Sequence, residues 1–274
     1  MRRLLIAPAS ALCLAVLLPM ADAATGAEIA SPWVEGHKSR ARLVGGASMA
    51  GIELQLPEGW KTYWRTPGEA GGVPPAFDWT GSGNLESAEV LYPAPKRFSD
   101  QSGDTLGYKG NVTFPVRLKA KDPAKPIDLQ VTMDYGVCKE ICIPAEAKLA
   151  LTVPPDAAMP EELIEAMTKV PAPPTARRES DPILKKATAE LSGAKPRLVM
   201  EAEFPEGTEH ADAFVEAPDG LYVPLPKKIA EVGKVVTFEV DMSKDVDLQA
   251  LKGKPLTVTI VSDKGQSEAT FPLQ

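Results

Sequence analysis

Cys138 and Cys142 stand with three residues between them in the run Tyr135-Gly136-Val137-Cys138-Lys139-Glu140-Ile141-Cys142-Ile143-Pro144. As a structural staple the pair would do little. Closing a loop of about five residues removes denatured-state entropy worth roughly 2 kcal/mol, against about 4.7 kcal/mol for a loop of 100 residues. As a switch it is better placed, because two thiols on one short segment can resolve a mixed disulfide after a partner thiol has been engaged. Lys139 favours a thiolate beside it and Glu140 opposes one. A metal site is the third reading, but His37 and His210 are far away in sequence and no second cysteine pair follows. A monovalent copper ion could take two thiolates with Met133, although a methionine is more often core filler. Two histidines in the whole chain argue against a hydrolase triad, and no glycine-rich loop precedes a helix to cradle phosphate. The switch reading asks for no cofactor beyond the chain's own sulfurs.

A second cluster, Gly59-Trp60-Lys61-Thr62-Tyr63-Trp64-Arg65-Thr66-Pro67-Gly68, holds two of the four tryptophans within five residues. Large aromatics with a polar edge suit a core, an interface or the wall around a reactive sulfur. Core packing is the simplest of these readings.

The elements that must position these residues read as strands. Ile52, Leu54 and Leu56 alternate with polar neighbours, as do Ile127, Leu129, Val131 and Met133, and Leu149, Leu151 and Val153. The cysteine pair thus falls on a hairpin-like connection between two strands. From Pro154 to Pro182 prolines dominate, around one short helix that begins at Pro160 and carries Glu161, Glu162, Leu163, Ile164 and Met167. Pro171-Ala172-Pro173-Pro174 reads as a stiff linker. Alternation returns in Leu198, Met200, Ala202 and Phe204, in Val236, Phe238 and Val240, and in Leu256, Val258 and Ile260, with Asp263-Lys264-Gly265 turning the chain towards Ala269 and Phe271. The expected fold is all-β, with two immunoglobulin-like sandwiches joined by a Pro-rich linker that carries the short helix. The expected division is a leader over 1–23, a redox domain over 24–154, a linker over 155–181 and a second sandwich over 182–274.

The leader reading rests on Arg2 and Arg3, the apolar run from Leu4 to Met20 and the small residues Ala21 and Ala23, which together suit an export signal cleaved before Ala24. Cys13 would leave with it, and an oxidising, periplasmic location would follow. No second hydrophobic stretch calls for stable membrane insertion. The formal net charge of −7 becomes one unit more negative without Arg2, Arg3 and Asp22, so the chain has no general attraction to nucleic acid or anionic lipid.

Read in order, the Trp60 to Trp64 cluster, Pro74-Pro75 with Asp78-Trp79, Tyr92-Pro93-Ala94-Pro95, Gly107-Tyr108-Lys109-Gly110, Phe114-Pro115-Val116 and Val137 to Pro144 resemble the N-terminal periplasmic domain of the thiol reductant transporter DsbD, and more closely its copper-suppressor branch, ScsB. The resemblance implies an immunoglobulin-like domain whose cysteines cycle between dithiol and disulfide, taking electrons from a thioredoxin-like or membrane thiol reductant and giving them to periplasmic disulfide proteins. It implies that Cys142 attacks the partner disulfide and Cys138 resolves the intermediate. A cap within Arg97 to Asp104 would cover the sulfurs, with Phe98 as its lid and Tyr63, Trp64 and Tyr108 as candidate walls. The spacing of the pair follows the ScsB-like branch, DsbD itself having a wider one. Neither a membrane domain nor a thioredoxin-like domain is expected on this chain, so its electrons should come from a separate protein. The other reading is a non-catalytic periplasmic binding module, in copper tolerance or assembly, with a structural disulfide.

Overall fold

The computed structural model describes residues 29–101 and 103–273; the expected leader, Cys13 and the cleavage point before Ala24 lie outside them. Strands are numbered here in chain order. One sheet of the first sandwich contains β1 (Ile29–Ala30), β2 (Val34–Gly36), β3 (Ser39–Gly46), β4 (Met49–Gln55), β7 (Leu85–Val90) and β10 (Val112–Ala120), in the order β1-β3-β4-β10-β7 with β2 paired to β3. The opposing sheet contains β5 (Lys61–Tyr63), β6 (Ala76–Asp78), β8 (Lys96–Asp100), β9 (Gly103–Lys109), β11 (Ile127–Cys138) and β12 (Cys142–Val153), in the order β12-β11-β5-β9-β8 with β6 on β11. The period-two reading of 127–133 belongs to the longest hairpin: β11 and β12 pair in unbroken register from Ile127 opposite Val153 to Cys138 opposite Cys142. Between the sheets lie fully buried Leu43, Ile52, Leu54, Phe114, Met133 and Tyr135. Each such apolar side chain contributes ~1.5–3 kcal/mol relative to exposure.

The second sandwich faces β13 (Ile183–Glu190), β14 (Arg197–Glu203), β16 (Lys227–Val232) and β17 (Val235–Asp241), in the order β13-β14-β17-β16, against β15 (Asp212–Glu216), β18 (Pro255–Val261) and β19 (Gln266–Pro272), in the order β15-β18-β19. Its core includes Leu198, Met200, Phe204, Phe238, Leu256 and Ile260, the residues whose alternation predicts these strands. Asp263-Lys264-Gly265 lies in the β18–β19 turn, closed by Ser262 N–H to the Gly265 carbonyl at 2.9 Å. A short helix, α2 (Leu248–Leu251), is capped by the Asp247 side chain, which accepts from Ala250 N–H.

The segment between the sandwiches is shared by them. Helix α1 (Glu161–Thr168) starts one residue after Pro160, with Leu163 and Ala166 buried and Ile164 exposed. It packs on β10 of the first sandwich, and Ala94 N–H donates to the Lys169 carbonyl that follows it. The Pro-rich stretch then runs along β19, where Glu268 N–H donates to the Ala172 carbonyl and the wholly buried Asp181 accepts from the Arg178 guanidinium and from Gln266 N–H. Stiffness in this stretch comes from docking as well as from proline.

The sheet β15-β18-β19 is covered on both faces. Ala213 and Val215 of β15 face the second core, whereas Phe214 joins the first core together with Leu225 and Val261. With a two-residue side-chain period, Asp212, Phe214 and Glu216 must share the face turned to the first sandwich.

Candidate functional site

The sulfurs occupy the closed end of the β11–β12 hairpin. Cys138 is the last residue of β11, Cys142 the first of β12, and Lys139 to Ile141 form the connection. They are joined as a disulfide. Their environments differ: Cys138 is 1% exposed, whereas Cys142 lies on the surface beside Ile141, which is 74% exposed. Hydrophobic Val73, also exposed, sits over Gly136 of the same hairpin and accepts its N–H at 3.0 Å. The exposed sulfur is therefore flanked by apolar surface.

Tyr63 brings the second cluster to the site. Its hydroxyl lies 2.8 Å from Cys142 Sγ and 3.0 Å from Cys138 Sγ. Disulfide sulfurs carry no proton, so the phenol is the donor. Burial, and secondarily the charge of Asp100, push the Tyr63 phenol above its ordinary value, which keeps the donor protonated through neutral and mildly alkaline pH. Glycines make room for the ring. A Cβ on Gly72 would lie 2.2 Å from Tyr63 Cε1, and one on Gly136 would lie 3.1 Å from Cε2. Strand β5 is fixed beside β11 by the Lys61–Cys138 pairing and by the Thr62 hydroxyl, which donates to the Gly136 carbonyl at 2.8 Å.

Within 97–104, residues 97–100 and 103–104 lie on paired strands. Strands β8 and β9 pair from Lys96 opposite Gly107 to Asp100 opposite Gly103, and β9 pairs in turn with β5. Lys61, which faces Cys138 across the strands, donates to Thr105 Oγ1 at 2.7 Å and lies 3.6 Å from Asp100. Phe98 is half-buried on β8, with the Lys109 ammonium 4.4 Å from its ring centroid.

Trp64 and Tyr108 lie apart from the sulfurs. Trp64 is wholly buried, with Phe214 of the second sandwich at a centroid distance of 5.8 Å and the Arg65 guanidinium at 4.6 Å. Tyr108 donates its hydroxyl to the Pro93 carbonyl at 2.8 Å and packs edge-on against Phe114, and burial raises its phenol well above the ordinary value. Met133 is also wholly buried. It stands five positions before Cys138 along the strand, about 17 Å, too far to join the two sulfurs around one ion. Among the described residues no three of His, Cys, Asp and Glu converge as a metal-binding set. Gly72 and Gly136 were missed by sequence reasoning; a run Gly71-Gly72 close to the aromatic cluster was the available signal.

The family model described as "Thiol:disulfide interchange protein DsbD, N-terminal" matches residues 33–154, and a domain family of unknown function matches residues 169–274. Among solved structures, the N-terminal periplasmic domain of ScsB from Proteus mirabilis superimposes with a TM-score of 0.69 at 22% identity, covering 90% of this chain and 99% of that one. At that identity the likeness speaks for the fold of both sandwiches. No curated protein sequence matches the chain. Among the described residues no helix is long and apolar enough to cross a membrane.

Proposed function

Because residues 33–154 belong to the family of DsbD N-terminal domains, we propose that this chain is a periplasmic electron shuttle that reduces disulfide proteins through the Cys138/Cys142 couple. The observation that carries the reading is the asymmetry of the pair, one sulfur buried and one at the surface, with a single phenol in reach of both.

In the dithiol state the Cys142 thiolate attacks one sulfur of a partner disulfide. A Cys142–partner S–S bond forms as the partner's own S–S bond breaks, and the displaced partner thiolate takes up a proton. Cys138, deprotonated in turn, attacks Cys142 Sγ; the intramolecular disulfide closes and the second partner thiolate leaves. Two electrons pass to the partner, which ends as a dithiol. A thioredoxin-like or membrane thiol donor reverses these steps to restore the pair. Tyr63 would stabilise the thiolate at Cys142 by donating to it, since a hydrogen bond to a charged group is worth about 1.5–3 kcal/mol. Exposed Ile141 and Val73 suit the apolar rim of a thioredoxin-like partner's active site. A cap within Arg97 to Asp104, with Phe98 as its lid, would have to move to cover the pair, because Cys142 is exposed as the β8–β9 strands now stand. The redox domain is taken as 24–154 and the second sandwich as 182–274, with export by a cleaved leader.

Trapping tests the roles. Cys138→Ser, mixed with an oxidised periplasmic disulfide protein, is expected to accumulate a mixed disulfide through Cys142, because nothing resolves it. Cys142→Ser is expected to accumulate none and to transfer no electrons. Normal reduction of the partner by Cys142→Ser would overturn the assignment.

A further inference from the structure

One loop of the first sandwich touches both the second sandwich and the phenol at the sulfurs. It leaves β5 after Tyr63 and reaches β6, over residues 64–75. At its start Arg65 and Thr66 are held by β15. Arg65 Nε lies 3.0 Å from both oxygens of Glu216, Arg65 Nη2 lies 2.6 Å from Oε2, and the Thr66 hydroxyl donates to Oε1 at 2.6 Å. Arg65 Nη2 also donates to Glu268 of β19. Forked guanidinium–carboxylate contacts of this kind are the strong and directional class of ion pair. Farther along, the Glu69 carboxylate accepts the N–H of Leu225, from the segment between β15 and β16, at 3.2 Å.

The other half of the loop lies on Tyr63. Gly72 is in contact with the ring, and the Val73 carbonyl takes the Gly136 N–H on the far side of it, so the Tyr63 side chain is buried although its hydroxyl meets both sulfurs. Tyr92 ties the two ends together: its hydroxyl donates to the Pro75 carbonyl at 3.2 Å, and its ring centroid lies 6.0 Å from the Arg65 guanidinium. Two bonds to β9 complete the seat, from Leu106 N–H to the Pro67 carbonyl at 2.8 Å and from Ala70 N–H to the Asp104 carbonyl at 3.1 Å. Gly71 and Gly72 have no side chains with which to fix their own place, and both sit at positive φ. Where they rest is therefore decided by the anchors on either side.

We propose that the second sandwich tunes the sulfurs through this loop, with Glu216 as a positioning residue: by holding Arg65 and Thr66 it keeps Gly72 against the ring and the Tyr63 hydroxyl aimed at Cys142. This rests on the reading of Tyr63 as the group that stabilises the Cys142 thiolate. A hydrogen bond weakens steeply as its angle opens, so a small displacement of the ring is enough to be felt at the sulfur.

The test uses the full chain in its reduced form and follows alkylation of Cys142 by iodoacetamide, read by mass spectrometry. Glu216→Gln keeps the shape of the side chain and removes the charge that grips Arg65. Glu69→Ala, at an exposed position, removes the contact with Leu225 and serves if Glu216→Gln does not fold. Each is expected to slow alkylation at neutral pH by about threefold, within the range of coupling between linked residues, and to move its pH midpoint upward. In a Tyr63→Phe background neither is expected to slow it further. Val236→Ala, in the second core and away from the interface, is expected to lower the melting temperature and leave rate and midpoint at the wild-type level. Wild-type rates in Glu216→Gln and Glu69→Ala beside a slow Tyr63→Phe would overturn the proposal alone, as would a further slowing in the Tyr63→Phe background or an equal slowing in Val236→Ala. A wild-type rate in Tyr63→Phe itself would overturn it together with the role of the phenol. Failure of the electron-shuttle reading shows separately, as a wild-type disulfide that thioredoxin-like donors cannot reduce.

Discussion

Tyr63 is the residue on which the chemistry of the sulfurs turns, since its hydroxyl is within 3.0 Å of both. Tyr63→Phe keeps the ring in its glycine slot and removes only the donor. Alkylation of Cys142 in the reduced protein at neutral pH is expected to slow by about tenfold, which corresponds to losing one charge-assisted hydrogen bond of about 1.4 kcal/mol; an unchanged rate would mean that the phenol does not stabilise the thiolate. Gly72→Ala acts on the same group by another route. The new methyl would collide with the ring at a backbone φ of 153°, and overpacking of this kind costs about 1–3 kcal/mol. Its urea midpoint should fall and its thiol reactivity should move towards that of Tyr63→Phe. The sequence made the cysteines legible, because a pair so close together is a poor staple. It did not separate Tyr63 from Trp64. Adjacent strand residues point to opposite faces, so one reaches the sulfurs and the other the interface with Phe214, and only the register of β5 against β11 decides which.

At the scale of the element, the open end of the β11–β12 hairpin was readable, because Ile127, Leu129, Val131 and Met133, and Leu149, Leu151 and Val153, alternate with mostly polar neighbours; nearer the sulfurs Gly136, Pro144 and Ala145 blur that pattern, and the strands there show only in the register. The β8–β9 hairpin was not. Lys96 to Asp100 carries charge or hydroxyl at four of its five positions, and such a segment becomes a strand only through partners supplied by β9 and by the second sandwich. Asp104 reports on that arrangement. The Ser99 hydroxyl, and then Arg97, hold its carboxyl below the ordinary value of 3.8. A depressed folded-state value means that this carboxylate contributes stability above the unfolded value and loses it as the pH falls through the folded one. The difference in unfolding free energy between the wild type and Asp104→Asn is therefore expected to be fully present at pH 7 and to shrink as the pH drops below about 4, measured by urea unfolding at several pH values. A difference independent of pH would show that the charge of Asp104 plays no part.

Across the whole molecule, the two sandwiches share side chains rather than only a linker. Phe214 is 1% exposed although its strand belongs to the second sandwich and its ring to the first core. Phe214→Ala is expected to cost about 3 kcal/mol, within the range for large-to-small changes at buried aromatics, and to lower the unfolding midpoint of both sandwiches together. Separate transitions, with the first unchanged, would contradict a shared core. The number and type of sandwiches could be read from the spacing of alternating segments. Their mutual packing could not, because Asp212, Phe214 and Glu216 look like an ordinary exposed strand face until Trp64, Arg65 and Arg97 are placed opposite them. The measurement that bears most directly on the whole account is the reduction potential of the Cys138/Cys142 couple in the purified chain, equilibrated with glutathione and thioredoxin buffers and read by thiol trapping. An exchange couple is expected to titrate between about −120 and −270 mV, whereas a bond that stays closed to below about −300 mV would make the pair a structural staple and contradict the electron-shuttle reading.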